Sequence, residues 1–161
     1  MWRFNNAKRG FGLVEIVIAV AVATIALFGM SETARVATGY VNDATKKLQA
    51  SYLLEEGVEA VKIMRDNGWN THIGNLGTST VYYMNYVSSM WQSTNTNTFV
   101  DKTYERKFQL DPVYRNANDD IAASGTLDSD TKKLTVTVSW KGRTGTTSQS
   151  ISTYITNLFQ N

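Results

Sequence analysis

Apolar and polar positions divide the chain into three parts, of which the first is almost entirely apolar. Residues 11–30 read FGLVEIVIAVAVATIALFGM, and Glu15 is the only charged side chain among them. As a helix with a rise of about 1.5 Å per residue, this run would span about 30 Å, the thickness of a bilayer's hydrocarbon core. It is therefore predicted to be a helix of transmembrane length.

Helical spacing continues past Met30 in the second part, where apolar and charged side chains occupy different faces. The apolar set is Leu48, Tyr52, Leu54, Val58, Val61 and Met64. Asn67-Gly68 predicts the end of this helix, because glycine readily takes the left-handed conformation beyond the last turn. An unbroken helix over residues 11–66 would extend roughly 80 Å.

The third part is rich in Ser, Thr, Asn and Gly. Residues 69–100 are interpreted as a variable loop region with one or two short segments of uncertain type. A β-sheet is predicted over 103–156, with a strand at 104–110 that ends near Pro112 and could resume over 113–115. The clearest strand alternates apolar with polar residues at Leu134, Val136, Val138 and Trp140. A turn at 141–145 then predicts an antiparallel hairpin with 146–155.

A helix followed by strands predicts an α+β fold: a long N-terminal α-helix, part hydrophobic and part amphipathic, packed on a small antiparallel β-sheet. The predicted organisation is a short cytoplasmic segment at 1–10, a transmembrane helix at 11–30, and an extracytoplasmic domain at 31–161. Basic residues Arg3, Lys8 and Arg9 precede the apolar run. The positive-inside tendency therefore places the N-terminus in the cytoplasm and the domain outside.

Cysteine content and charge narrow the possible sites and partners. The chain has no cysteine, which removes disulfides, thiolate metal ligands and a cysteine nucleophile. The formal net charge is +2, but loss of residues 1–10 would leave thirteen basic and fourteen acidic side chains. A chain so close to neutrality has no overall attraction for nucleic acid, and no such partner is predicted.

The N-terminal segment admits three interpretations. A secretory signal peptide usually has an apolar region of only about 7–15 residues before its cleavage site. A plain membrane anchor gives no reason for Glu15, because a charge in apolar surroundings is costly. The third interpretation is a segment that is cut before the apolar run, keeps that run in the product, and uses the carboxylate.

Residues 8–15, KRGFGLVE, resemble the leader-peptidase site of type IV prepilins and type II secretion pseudopilins. The resemblance implies that a prepilin peptidase cuts between Gly10 and Phe11 and N-methylates Phe11. Residues 1–10 would then be a leader peptide, and residues 11–30 would be the assembly helix as well as the membrane segment. It also matches Glu15 to the glutamate at the fifth mature position. The partners it implies are that peptidase, other pilin or pseudopilin subunits, and the inner membrane before assembly. Gly12 stands where many family members have threonine, and the proline that many major pilins carry in this helix is missing.

A carboxylate at Glu15 needs a partner once it is buried. The mature amine at Phe11 of a neighbouring subunit could supply one, and the pair would set axial register as a buried polar residue does in a coiled coil. The hypothesis is a structural, non-enzymatic subunit of a type IV pilus or secretion pseudopilus, resembling a minor component more than a major pilin. The alternative is a membrane-tethered extracellular binding domain that does not polymerise.

Catalytic, cofactor-binding and metal-binding residues are not predicted. His72 is the only histidine, and no serine has the sequence context of a nucleophile. An acidic cluster could supply oxygen ligands to calcium, as in some filament subunits, although it lacks the glycine and terminal glutamate of an EF-hand loop. Its Asp-Ser-Asp-Thr run is also ordinary turn composition. The cluster consists of Asp119, Asp120, Asp128 and Asp130.

Aromatic side chains in the middle of the chain are a last candidate for binding. The set is Tyr82, Tyr83, Tyr86 and Trp91. Stacking on single-stranded DNA normally needs basic residues as well, and residues 78–100 contain none. Packing over the helix therefore explains the set better than a glycan or nucleic-acid ligand does.

Overall fold

The computed structural model describes residues 12–143 and 145–159 of the chain. One α-helix, α1 (Leu13–Asp66), is followed by a short π-helical turn, Asn70–Gly74. Six strands come next: β1 (Val81–Val87), β2 (Met90–Thr94), β3 (Tyr104–Arg115), β4 (Ile121–Ala122), β5 (Thr126–Lys141) and β6 (Thr146–Thr156). The chain divides into two compact units, one ending at Asn42 and the other beginning at Asp43. The predicted leader at 1–10 lies outside the described residues.

The ends of α1 follow from glycines at either side of it. The backbone N–H groups of Glu15 and Ile16 donate to the carbonyl oxygen of Gly12, at 2.9 and 3.3 Å, so the helix begins directly after Gly12. The predicted stop at the other end is confirmed, because the last helical residue is Asp66. Gly68 has a φ of +145°, a conformation that side chains disfavour and glycine accepts.

The strands form one antiparallel sheet in the order β2-β1-β3-β5-β6, with β4 paired to the end of β3. The central pair, β3 and β5, is the longest contact between two strands, followed by β5 and β6. α1 supplies the other layer. A long N-terminal helix packed on a six-stranded antiparallel sheet confirms the predicted α+β fold.

One face of the C-terminal half of α1 forms the core with the sheet. Its buried residues are Ala50, Leu54, Gly57, Val58, Ala60, Val61 and Met64. The strands contribute Met84, Phe108, Leu110, Leu134, Val136 and Val138, among others. At Gly57 a Cβ atom would lie only 2.8 Å from Cγ1 of Val136. The missing side chain therefore lets the helix lie close against β5.

Two members of the predicted apolar set on α1 are not part of this core. Leu48 and Tyr52 are exposed, whereas Leu54 and Val61 are buried. Successive residues of an α-helix are turned by about 100°, which places positions 48 and 52 on the face opposite to the sheet. The apolar spacing in the sequence includes residues on both faces of the helix, and only the face that packs on the sheet is buried.

The interpretation of residues 69–100 as a loop region is wrong for β1 and β2, which form a hairpin within the sheet. Val87 pairs with Met90, so the turn consists of Ser88 and Ser89, with φ values of 52° and 63°. Two-residue hairpin turns with positive φ at both positions favour Asn-Gly or Asp-Gly. A pair of serines gives no such signal in the sequence.

β3 does not end near Pro112 but continues through it to Arg115. The carbonyl oxygen of Leu110 accepts the N–H of Ser79, so Leu110 and, two residues on, Pro112 direct their backbone groups away from β5. Proline lacks an N–H, and this edge of β3 does not need one at that point. The prediction of an interruption failed because it took no account of which edge the proline faces.

β5 begins earlier than predicted, and the Asp-Ser-Asp-Thr run lies inside it rather than in a turn. Pro112 faces Lys132 while Val113 faces Asp128, so residues 129–131 form a bulge opposite β3. The predicted hairpin at the end of the chain is confirmed: β5 and β6 pair from Thr131 with Thr156 to Lys141 with Thr146, without a shift.

Candidate functional site

The N-terminal part of α1 is apolar and exposed. The apolar segment (residues 13–30) is exposed along its whole length. Its large side chains, each more than half exposed, are Leu13, Val14, Ile16, Val17, Ile18, Val20, Val22, Ile25, Leu27, Phe28 and Met30. A helix that is apolar on all sides is stable only in surroundings that are themselves apolar, such as a bilayer or other helices. α1 is long and apolar enough here to cross a membrane.

Glu15 lies in the first turn of α1, three residues after Gly12. The free N–H groups and the helix dipole make this end of the helix electropositive, which suits a carboxylate. A glutamate at this position therefore has a local role in starting the helix, as well as any role toward another chain. Its neighbours in the apolar segment offer no charged side chain, so a partner for the carboxylate must come from outside these residues.

Hydroxyl groups within and just beyond the apolar segment are satisfied by the helix itself. Thr24 donates to the carbonyl oxygen of Val20 at 2.8 Å, and Thr33 donates to that of Gly29 at 2.9 Å. Such bonds remove the cost of carrying a hydroxyl into apolar surroundings. Thr24 is therefore compatible with a membrane or with a tightly packed helix bundle.

Charged residues return immediately after the apolar segment. Arg35 donates to both carboxylate oxygens of Glu32, at 2.6 and 2.8 Å, one turn along the exposed surface of α1. The pair marks a change from an apolar to a polar surface at residue 31. The apolar segment thus contains one charge, Glu15 near its start, and ends before this ion pair.

Two of the three predicted site residues, Gly10 and Phe11, lie outside the described residues, so their distance from Glu15 is not part of the structure. Glu15 is the predicted site residue that the structure places. Its exposure in the first turn of an exposed apolar helix leaves it accessible to a neighbouring chain. The pairing of Glu15 with a terminal amine stays a prediction.

The acidic cluster is organised around an arginine that the sequence did not single out. Nε of Arg115 donates to Oδ2 of Asp128 at 2.6 Å, and Nη1 donates to the carbonyl oxygen of Asp119 at 2.8 Å. The hydrogen bond from Arg115 is the main reason that the pKa of Asp128 is lowered. Asp130 instead accepts from Nδ2 of Asn157 at 3.1 Å. Among the described residues no group of three or more His, Asp or Glu side chains converges as metal ligands would.

The aromatic set divides between the core and the surface. Tyr82 packs against Phe108 with ring centroids 5.7 Å apart, as the sequence predicts for core packing. Tyr86 is 59% exposed and contacts Trp91, so it is not a core residue. His72 is half-buried in the π-helical turn.

Arg106 is a buried charge whose role could not be read from the sequence. It sits on the inner face of β3 with 5% of its side chain exposed. Nη1 lies 2.7 Å from Oε2 of Glu56 on α1, and the guanidinium lies over the ring of Trp91 at 5.2 Å. One side chain thereby joins the helix, β3 and the β1–β2 hairpin.

Comparison with known proteins points to the same end of the chain as the geometry does. Residues 5–31 match the family described as the prokaryotic N-terminal methylation motif, which is the type IV pilin signature. The matched residues include the KRGFGLVE sequence, the apolar segment and Glu15. No curated protein and no solved structure matches the chain significantly. The signature together with the apolar helix supports a type IV pilin-like or pseudopilin subunit.

Proposed function

We propose that this chain is made as a prepilin, is cut between Gly10 and Phe11, and assembles through α1 into a type IV pilus or secretion pseudopilus. The observation that carries the proposal is the coincidence of the methylation motif with a long exposed apolar helix. The motif covers residues 5–31, and the exposed apolar side chains lie within that range. A peptidase site, a membrane segment and an assembly surface thus occupy one continuous stretch.

The apolar segment has two successive partners in this proposal. Before assembly it is held in the inner membrane, where its side chains contact lipid and its backbone bonds are all internal. In the filament the same side chains contact the helices of other subunits. The transfer from lipid to helix is driven by packing and polar pairing rather than by the hydrophobic effect, because both surroundings are apolar. The domain from Asp43 onward stays outside the membrane.

Glu15 is proposed to select the register of that packing. An ionised carboxylate in an apolar bundle is stable only beside a positive charge, and cleavage after Gly10 would create an amine at Phe11. A neighbouring subunit at the wrong height would leave both charges unpaired. The pair therefore favours one axial step over others, while contributing little net stability of its own.

A minor position in the filament is proposed from the sequence resemblance. The retained Glu15 keeps such a subunit compatible with the repeating lattice. Quantitative mass spectrometry of purified filaments measures this directly. Many copies of a different pilin for each copy of this chain are expected, and a filament composed mainly of this chain would contradict the minor role without affecting the rest of the proposal.

Processing is tested by the intact mass and N-terminal sequence of the protein from its own membranes. The expected chain begins at Phe11 and carries one added methyl group. A Gly10→Leu variant is expected to remain uncut, because the peptidase requires a small residue at this position. A native chain that begins at Met1 would instead favour the membrane-tethered binding domain, and one that begins after Met30 would indicate a secretory signal peptide.

Register is tested by Glu15→Ala in cells. The variant is expected to be cut and held in the membrane like the native protein but to be depleted about tenfold or more from sheared filaments, since about 1.4 kcal/mol corresponds to a factor of ten. Glu32→Ala is the matched control, because it removes a carboxylate from the same helix outside the apolar segment. Equal incorporation of both variants would contradict the register role of Glu15.

A further inference from the structure

Charged residues are distributed unevenly over the sheet. Every Asp, Glu, Lys and Arg of the strands lies in β3 or β5, the two central strands. β1, β2 and β6 carry none. The uncharged stretches are long, because residues 67–100 and 144–161 contain no Asp, Glu, Lys or Arg at all. Both outer margins of the sheet are therefore free of charge.

β2 and β6 are the two edge strands, since they end the strand order β2-β1-β3-β5-β6. Soluble proteins usually protect such edges with charged side chains, proline or bulges, because unpaired N–H and C=O groups can pair with another chain. β6 (Thr146–Thr156) has none of these features and pairs with β5 without a register shift. Its unprotected edge is a surface on which another strand can pair.

The groups that β6 directs outward can be identified. The N–H of Asn157 donates to the carbonyl oxygen of Asp130, so these two residues form a hydrogen-bonded pair at the end of the ladder. Backbone groups alternate in direction along a strand, which turns those of the even-numbered residues away from β5. The outward set is Thr146, Ser148, Ser150, Ser152, Tyr154 and Thr156.

Strand direction decides which edge of another copy can meet β6. Four antiparallel pairings separate β2 from β6, so these two strands run in the same direction. Two copies placed side by side with their α1 helices parallel bring β6 of one beside β2 of the other as a parallel pair. A two-fold pairing of β6 with β6 would reverse one helix relative to its partner, which one membrane or one filament does not allow.

We infer that β6 of one subunit pairs in parallel with β2 of a second copy wherever two copies of this chain lie side by side, in the membrane before assembly or in the filament, so that their sheets join edge to edge. The inference rests on the proposed function, which requires the helices of all copies to point the same way. The contact is head-to-tail and leaves a free edge at each end, so it can repeat. Its affinity comes from main-chain hydrogen bonds and from uncharged margins that meet without repulsion.

Cross-linking of the full-length protein in lipid vesicles tests the pairing, because every neighbour there is a copy of the same chain. The native chain has no cysteine, so Gln92→Cys in β2 and Ser150→Cys in β6 supply the two thiols. Gln92 pairs with Asn85 in β1, and Ser150 pairs with Thr137 in β5. This register places the side chains of Gln92 and Ser150 on the same face of the sheet. A short thiol cross-linker is expected to give dimers, trimers and larger species only when both cysteines are present.

A proline substitution in β6, compared with an alanine at the same position, tests the role of an outward N–H in the double-cysteine variant. Ser152→Pro removes an N–H that points away from β5 and so spares the β5–β6 ladder, whereas Ser152→Ala keeps the N–H. Both lose the hydroxyl contact with Thr135. The proline variant is expected to lower the yield of trimer about tenfold relative to alanine, with thermal unfolding of the domain similar in the two.

Three results would overturn the inference. Dimers from either single-cysteine variant would indicate a two-fold contact. Cross-linked masses that are not multiples of this chain would indicate a different partner, and the absence of cross-linked species would mean that the edges do not pair. The yield of this chain in sheared filaments from cells separates the two proposals. Normal incorporation into filaments without cross-linked species in vesicles would reject edge pairing alone. Absence of the chain from filaments together with absence of cross-linked species would reject the assembly proposal as well.

Discussion

Both halves of α1 carry large apolar side chains along one continuous helix, yet the halves differ in what covers those side chains. Met30 is 69% exposed, and Met64 is fully buried. Gly29 has open space where a Cβ would be, and Gly57 touches Val136. The difference shows that apolar sequence in this helix serves two partners. One half packs on the chain's own sheet, and the other is exposed and is stable only in apolar surroundings such as a bilayer or other helices.

The largest expected effect comes from the two methionines. Met64→Ala should lower the free energy of unfolding of the domain by about 2–5 kcal/mol, because a cavity forms between α1 and the sheet. Met30→Ala should change it by less than about 0.5 kcal/mol, since that side chain is 69% exposed. Denaturant unfolding of both variants in the same detergent checks this. Equal losses would mean that the apolar segment also folds against the domain.

Arginine provides the second comparison. Arg106→Ala should cost about 2–3 kcal/mol, because it leaves space beside Trp91 and removes the charge beside Glu56. Arg35→Ala, which breaks an exposed pair with Glu32, should leave the free energy of unfolding unchanged within experimental error, because solvent screens the two charges. Arg106→Met is the control for packing, and it should recover most of the loss because Glu56 is half-exposed and can be hydrated. No recovery would show that the charge itself is required.

Glycine gives the smallest expected effect and the sharpest test of contact. Gly57→Ala gains up to about 1 kcal/mol of helix propensity but forces Val136 to move, at a cost of about 1–3 kcal/mol. We expect a net loss of about 1 kcal/mol in thermal unfolding of the domain. Gly29→Ala has nothing to displace and should cause no loss. Stabilisation by Gly57→Ala would mean that the helix and β5 can separate without penalty.

Several elements could be predicted because their signals are local. The alternation from Leu134 to Trp140 predicts a strand with one face on the core, and Asn67-Gly68 predicts the end of a helix. The β1–β2 hairpin could not be predicted, because its turn residues, Ser88 and Ser89, adopt a positive φ without the usual glycine. Asp128 was interpreted as part of a turn, since its partner Arg115 lies on another strand and is brought to it only by sheet register.

The candidate site divides in the same way. Glu15 and the apolar segment could be identified from sequence, because a lone charge in a run of membrane length is visible without any tertiary contact. Arg106 could not, because a single arginine in a strand is ordinary until the fold places it between Glu56 and Trp91. The open edges of the sheet also required the structure, since strand order is a property of the whole chain.

The sequence by itself determined the long helix, the α+β class, the position of Glu15 and the type IV pilin signature over residues 5–31. Each depends on residues close together in the chain, where periodicity and spacing are sufficient. Only the tertiary structure decided which face of α1 is buried, which carboxylates Arg115 binds, and which strands lie at the edges. Those features depend on contacts between residues far apart in sequence, whose energies are decided by packing and register rather than by local composition.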